Sequence, residues 1–112
     1  MFSDAPAQLV DSQAVDALFG GMDSDTCDLL LDAAAADTTE WTERLALAWQ
    51  QGNAEEQSRA RHSLKGICGN FGMTLLFDRC AGTLAADEAL QDLRDCRDAS
   101  LAALRAAVSG LQ

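Results

Sequence analysis

His62 is the only histidine in this 112-residue chain, and it sits in the most basic stretch of the sequence. A neutral imidazole keeps a lone pair on one ring nitrogen. Histidine ionises near pH ~6.5 in water, so the ring is a competent nucleophile at neutral pH. Arg59, Arg61 and Lys65 flank it, although the chain has only eight Lys and Arg against 18 Asp and Glu, and only Arg44 precedes this segment. The formal net charge is −10. Cations gathered around one imidazole in so acidic a chain suit an anionic reactant, above all a phosphoryl group, whose transfer needs positioning and neutralised oxygens. Lys65, one turn beyond His62, would bring a mobile ammonium to those oxygens. Arg59 and Arg61 would add longer-range attraction. The plainer reading is a solvated basic turn, or pairing of Arg59 with Glu55 and Glu56. A lone histidine is also often merely structural.

Helical spacing places Arg59, His62, Lys65, Gly66 and Gly69 on one polar stripe, with Leu64, Ile67, Cys68 and Phe71 toward other sides. Glycine inside a helix costs about 1 kcal/mol relative to alanine, so Gly66 and Gly69 call for an offsetting reason. Two missing side chains beside His62 would form a notch that lets another protein approach the imidazole. The alternative is close packing of a neighbouring helix on those glycines.

The elements that must position this stripe are helices. Alanine and leucine abound, β-branched residues are sparse, and Pro6 is the only proline. Residues 1–10 read as a loose lead-in. Asp11 or Ser12 caps a short helix with Val15, Leu18 and Phe19 on one face, stopped by Gly20 and Gly21. Ser24 is a plausible next cap, and Cys27, Leu30, Leu31, Ala34, Trp41, Leu45 and Ala48 follow at helical spacing. Asp37, Thr38 and Thr39 weaken the middle, which leaves one long helix or two with a kink. Gly52 ends it. Asn53 and Glu56 then match a capping box that opens the helix of His62, and Gly72 breaks or loosens that helix. A further helix spans Met73 to about Ala85, with Leu76, Cys80, Thr83 and Leu84 inward. The last spans about Asp87 to Ser109, with Leu90, Leu93, Leu101, Leu104 and Val108 inward and Gly110 as its stop. The reversal between these two is placed at residues 85–87 only because antiparallel packing requires one. The expected fold is all-α: an up-down antiparallel four-helix bundle with a short additional N-terminal helix, forming one domain over residues 1–112.

The acidic balance argues against nucleic acid and anionic membrane surfaces as partners. No apolar run approaches the roughly 20 residues that a bilayer span needs, and MFSDAPAQLVDSQ lacks the pattern of a signal peptide. A cytoplasmic, free-standing, monomeric protein is the expectation. Cys27, Cys68, Cys80 and Cys96 contain no C-x-x-C pair, so they read as buried or half-buried thiols in a reduced compartment, with no metal site. A phosphate loop of the G-x-x-x-x-G-K type is absent from the sequence, and no bound cofactor is expected.

The run His62-Ser63-Leu64-Lys65-Gly66, followed by Gly72 six residues after Gly66, resembles the core pattern of the histidine-containing phosphotransfer (HPt) domain family. Leu76, Cys80 and Leu84 match the usual continuation of that pattern. The strong likeness covers residues 62–84, and Gly52-Asn53 and the helical layout extend it more loosely. The resemblance implies that His62 is the phosphoacceptor of a two-component phosphorelay. It would take a phosphoryl group from a receiver-domain aspartate, or from a hybrid sensor histidine kinase, and pass it to another response-regulator receiver. Lys65 would steady the phosphoryl oxygens, while Gly66 and Gly69, with Arg59 and Arg61, would meet the receiver. Mg²⁺ and most of the catalytic apparatus would belong to the receiver, so the chain would be a phosphocarrier rather than an enzyme. The chain departs from the pattern at Arg61, where alanine is commoner, at Ile67 and Cys68, where small polar residues are common, and at Ala85, where an acidic residue is frequent.

Three other readings compete. An autophosphorylating kinase's dimerisation domain usually has an acidic residue after its histidine and a proline soon after; here Ser63 follows and no proline lies beyond Pro6. A docking module would bind a receiver or another regulator without relaying phosphate. An accidental likeness would leave the Arg59-to-Gly69 stripe buried.

Overall fold

The computed structural model describes residues 9–81 and 87–111. They form five helices: α1 (Ser12–Phe19), α2 (Ser24–Gln50), α3 (Ala54–Phe71), α4 (Thr74–Ala81) and α5 (Asp87–Ser109). No strand occurs among the described residues.

Local chemistry sets most of the boundaries. The Asp11 carboxylate accepts from the Gln13 and Ala14 amides and caps α1. Asp23, rather than Ser24, is the extended residue before α2. The Thr26 hydroxyl donates to the Asp23 carboxylate and holds its pKa below the ordinary value. At α3 the Asn53 side chain accepts from the Glu56 amide at 3.1 Å. The reciprocal half of the expected capping box is replaced: the Asn53 amide donates to the Ala48 carbonyl, and the Glu56 carboxylate turns to Arg59. Gly72 closes α3 in the left-handed region, at φ 70°. A Cβ there would also lie 3.0 Å from the Ala14 Cβ, so a side chain is opposed by backbone and neighbour alike.

α2 is one helix through the weak middle. Thr38 and Thr42 are fully buried, and the Thr42 hydroxyl donates to the Thr38 carbonyl at 2.7 Å. Back-bonding within the helix lets a polar residue enter the core without breaking the ladder.

α2 packs on α3 and α5, and α4 packs on the same two helices. Leu31, Leu45, Leu64, Leu76, Leu93 and Leu104 meet in the shared core. Burying an aliphatic side chain of this size contributes roughly 1.5–3 kcal/mol. α1 contacts α3 and α5. Its Phe19 ring lies 6.2 Å from that of Phe71, centroid to centroid. Leu18, by contrast, is partly exposed.

The lead-in is not loose at its inner end. Leu9 and Val10 are buried, Val10 joins the core, and the Asp11 amide donates to the Gly72 carbonyl at 2.8 Å. Residues 1–8 lie outside the described residues, as do Thr83, Leu84 and most of the expected reversal before α5. Residue 87 opens α5, as the sequence suggests. Leu90, Leu93, Leu104 and Val108 are buried in it; Leu101 is half-buried, while Cys96 and Ser100 are fully buried.

Candidate functional site

α3 carries the candidate residues. Its apolar face, Ala60, Leu64 and Cys68, is buried, which turns the opposite stripe outward. His62 is exposed and makes no hydrogen bond among the described residues. The accidental-likeness reading required a buried stripe, and Arg59, His62, Gly66 and Gly69 are all exposed.

A hollow of about 260 Å³ opens beside the imidazole. Ser58, Arg61, His62 and Lys65 line it from α3, and Cys80 lines it from α4. Lys65 is half-buried, with its Nζ 5.3 Å from the centroid of the Phe77 ring on α4. An ammonium over an aromatic face is attracted by the ring quadrupole, and the contact limits the lysine's freedom. Arg61 is half-buried too. One of its terminal nitrogens reaches Gln57 Oε1 at 3.4 Å, while Nε is buried and has no hydrogen-bond partner among the described residues.

The charge distribution separates these two cations from others in the chain. Arg44 pairs with Glu40, Arg94 and Arg97 with Glu43, and Arg105 with Asp32. Arg59 pairs with Glu56 at 2.8 Å and Glu55 at 3.7 Å, the local pairing that the sequence allows. Arg61 and Lys65 form no ion pair among the described residues. Two cations without a carboxylate thus stand at the one exposed imidazole, a setting that favours an anion.

The glycines face open space. A Cβ built at Gly66 or Gly69 meets nothing within 4 Å among the described residues. Among the described residues, packing of a neighbouring helix is therefore not what keeps them small. Gly69 lines a second hollow of about 180 Å³ with Asp11, Ala14, Cys68, Gly72, Thr74, Phe77 and Asp78. Phe77 links the two hollows: it borders the second and contacts Lys65 of the first.

The structure thus brings together His62, Lys65 and Arg61, leaves Gly66 and Gly69 bare on the same helix, and sets Arg59 against its own carboxylates. Ser58, Phe77 and Cys80 are the residues that sequence reasoning missed. Ser58 lies four positions before His62 and was findable from helical spacing. Nothing in the sequence marks Phe77 as the partner of Lys65, or Cys80 as facing the hollow. Among the described residues no group of three His, Cys, Asp or Glu side chains could hold a metal ion. No helix among them is long and apolar enough to cross a membrane.

No protein-family model, curated protein or solved structure matches this chain.

Proposed function

We propose that this chain is a histidine phosphotransfer protein of the HPt kind, and that His62 is its phosphoacceptor. The observation that carries the reading is the exposed imidazole sharing one hollow with two unpaired cations, Lys65 and Arg61. The pairing of α2, α3, α4 and α5 around a common core supports an up-down antiparallel four-helix bundle, with α1 as an addition.

In the proposed step the unprotonated ring nitrogen of His62 attacks the phosphorus of a receiver's aspartyl phosphate. The P–N bond forms as the P–O bond breaks, and the carboxylate leaves with the electron pair. The reverse step on a second receiver returns the imidazole. Lys65 and Arg61 offset the charge on the phosphoryl oxygens. The receiver supplies the magnesium ion. Gly66 and Gly69 keep the flank of α3 low, so that a receiver's surface can reach the ring. The likeness at His62–Gly66 names the partners: receiver domains and a hybrid sensor kinase, in the cytoplasm, with this chain as a monomer.

The test is incubation with a phosphorylated receiver and Mg²⁺, read by intact mass, with His62→Gln in parallel. A gain of about 80 Da, one phosphoryl unit, in the wild type alone supports the relay. Binding of the receiver by both proteins with no gain in either would instead indicate a docking module. Because His62 is exposed, His62→Gln should change stability by no more than about 0.5 kcal/mol.

A further inference from the structure

We infer that the hollow beside His62 binds free inorganic phosphate, held by Ser58, Arg61 and Lys65, and that a bound phosphate keeps a receiver's acyl phosphate from the ring. The binding stands on the hollow alone; the competition rests on the phosphotransfer reading of His62.

The hollow supplies donors, charge and size from this chain. Ser58, Arg61, His62 and Lys65 stand at positions i, i+3, i+4 and i+7 of α3, so one helix face presents a hydroxyl, a guanidinium, an imidazole and an ammonium. Cys80, from α4, is the remaining lining residue, and no carboxylate lines the hollow among the described residues. Its volume of about 260 Å³ lies below the roughly 300–1,000 Å³ of pockets that enclose drug-sized ligands, so the occupant is small.

Two uncompensated positive charges match a dianion. Both cations contact neutral groups: Arg61 reaches the Gln57 side-chain oxygen at 3.4 Å, and Lys65 Nζ lies 5.3 Å from the Phe77 ring centroid. Those contacts and the half-burial of both side chains limit their freedom without cancelling their charge. An arriving anion therefore meets cations that have already lost part of their rotamer entropy. By contrast, Arg44, Arg59, Arg94, Arg97 and Arg105 already hold carboxylates. A tetrahedral dianion has oxygens enough for the guanidinium, the ammonium and the Ser58 hydroxyl together, and its bonds from Arg61 and Lys65 are charge-assisted. A carboxylate offers half the charge and fewer oxygens. The net charge of −10 repels anions at long range, so a dianion that binds does so through this local site.

His62 is the only histidine, so its ring signals in an NMR spectrum need no assignment by mutation. The experiment titrates the folded full chain with sodium phosphate at fixed pH, with sodium chloride adjusted to hold the ionic strength constant. The expected result is a saturable shift of the imidazole signals, which sulfate also produces and chloride does not. Arg61→Gln and Lys65→Gln should each weaken the binding about ten-fold, through the loss of one charge-assisted bond. Arg105→Gln, which removes the same charge from a pair with Asp32, should leave it unchanged. If a variant fails to fold, the contrast between sulfate and chloride on the wild type decides. A shift that never saturates, that chloride reproduces, or that persists in full in both Arg61→Gln and Lys65→Gln overturns the site. Transfer from a phosphorylated receiver at constant free Mg²⁺ then tests the competition. At its half-saturating concentration phosphate should raise the receiver concentration needed for half-maximal rate about two-fold, and Arg61→Gln should need about ten-fold more phosphate for the same effect. A filled hollow with no such rise overturns the competition. A receiver that never charges His62, with or without phosphate, refutes the phosphotransfer reading and the competition with it, while the titration still decides the site.

Discussion

Lys65 Nζ stands 5.3 Å from the centre of the Phe77 ring, so a residue of α4 steers the ammonium that α3 presents beside His62. The two side chains come from helices joined only through the left-handed turn at Gly72. The contact gives Lys65 a preferred position, yet one weak enough to leave when an anion arrives: such pairs contribute ~0.5–1 kcal/mol at exposed sites.

Phe77→Leu should therefore keep the fold and loosen Lys65. Phosphoryl transfer to His62 should slow on the order of three-fold, by a fraction of the contact's energy, while Lys65→Ala should slow it on the order of ten-fold, equal to ~1.4 kcal/mol of barrier. Single-turnover transfer from a phosphorylated receiver measures both. A larger loss in Phe77→Leu than in Lys65→Ala would show that Phe77 acts by another route, such as direct contact with the receiver.

The open space at Gly66 and Gly69 separates folding from function. Each Gly→Ala change adds a methyl where nothing lies within 4 Å among the described residues, so each should stabilise the fold by roughly 0.5–1 kcal/mol through helix propensity. Denaturant titration measures this. Gly69→Leu should keep much of the stability and weaken receiver binding by ten-fold or more, on the order of 1.4 kcal/mol. Destabilisation by Gly69→Ala would mean that another part of this chain packs there.

Glu43 ties α2 to α5 through Arg94, at 3.0 and 2.7 Å, and Arg97, at 3.1 Å. The bonds from Arg94 and then Arg97 outweigh burial and lower the Glu43 pKa below its ordinary 4.5. The Arg94 pKa is correspondingly raised. A carboxylate depressed by folding contributes its full stabilisation above its unfolded pKa and loses it as pH falls through the folded value. Because Glu43 is about half exposed, Glu43→Gln should cost only about 0.2–1 kcal/mol at pH 7. The gap between wild type and variant should shrink below pH 4.5. Unfolding at neutral and acid pH tests this; a gap that does not change with pH would assign the effect to packing.

Thr38 is fully buried, and its hydroxyl has no hydrogen-bond partner among the described residues. Valine has nearly the same shape and no polar atom to satisfy. Thr38→Val should raise stability by about 1 kcal/mol, since the two β-branched residues have nearly equal helix propensity. A calorimetric melt would show it as a higher Tm; a lower Tm would mean that the hydroxyl is satisfied in solution.

The sequence alone determined the helices and the outward stripe of α3. Asn53 before Glu56, Gly72 after Phe71 and the apolar spacing of Ala60, Leu64 and Cys68 act within a turn or two of themselves, so reading along the chain captures them. The same reading offered the Arg59 pairing with Glu55 and Glu56 only as an alternative and did not turn Arg61 into the hollow. Both flank His62 in sequence, but one lies against Glu55 and Glu56 while the other turns into the hollow. Nor could it place Leu9 and Val10 in the core, or set Phe77 beside Lys65 and Cys80 at the wall of the hollow. Those relationships depend on the register and rotation at which separate helices pack. That choice is made by the whole buried surface at once, and no short-range pattern encodes it.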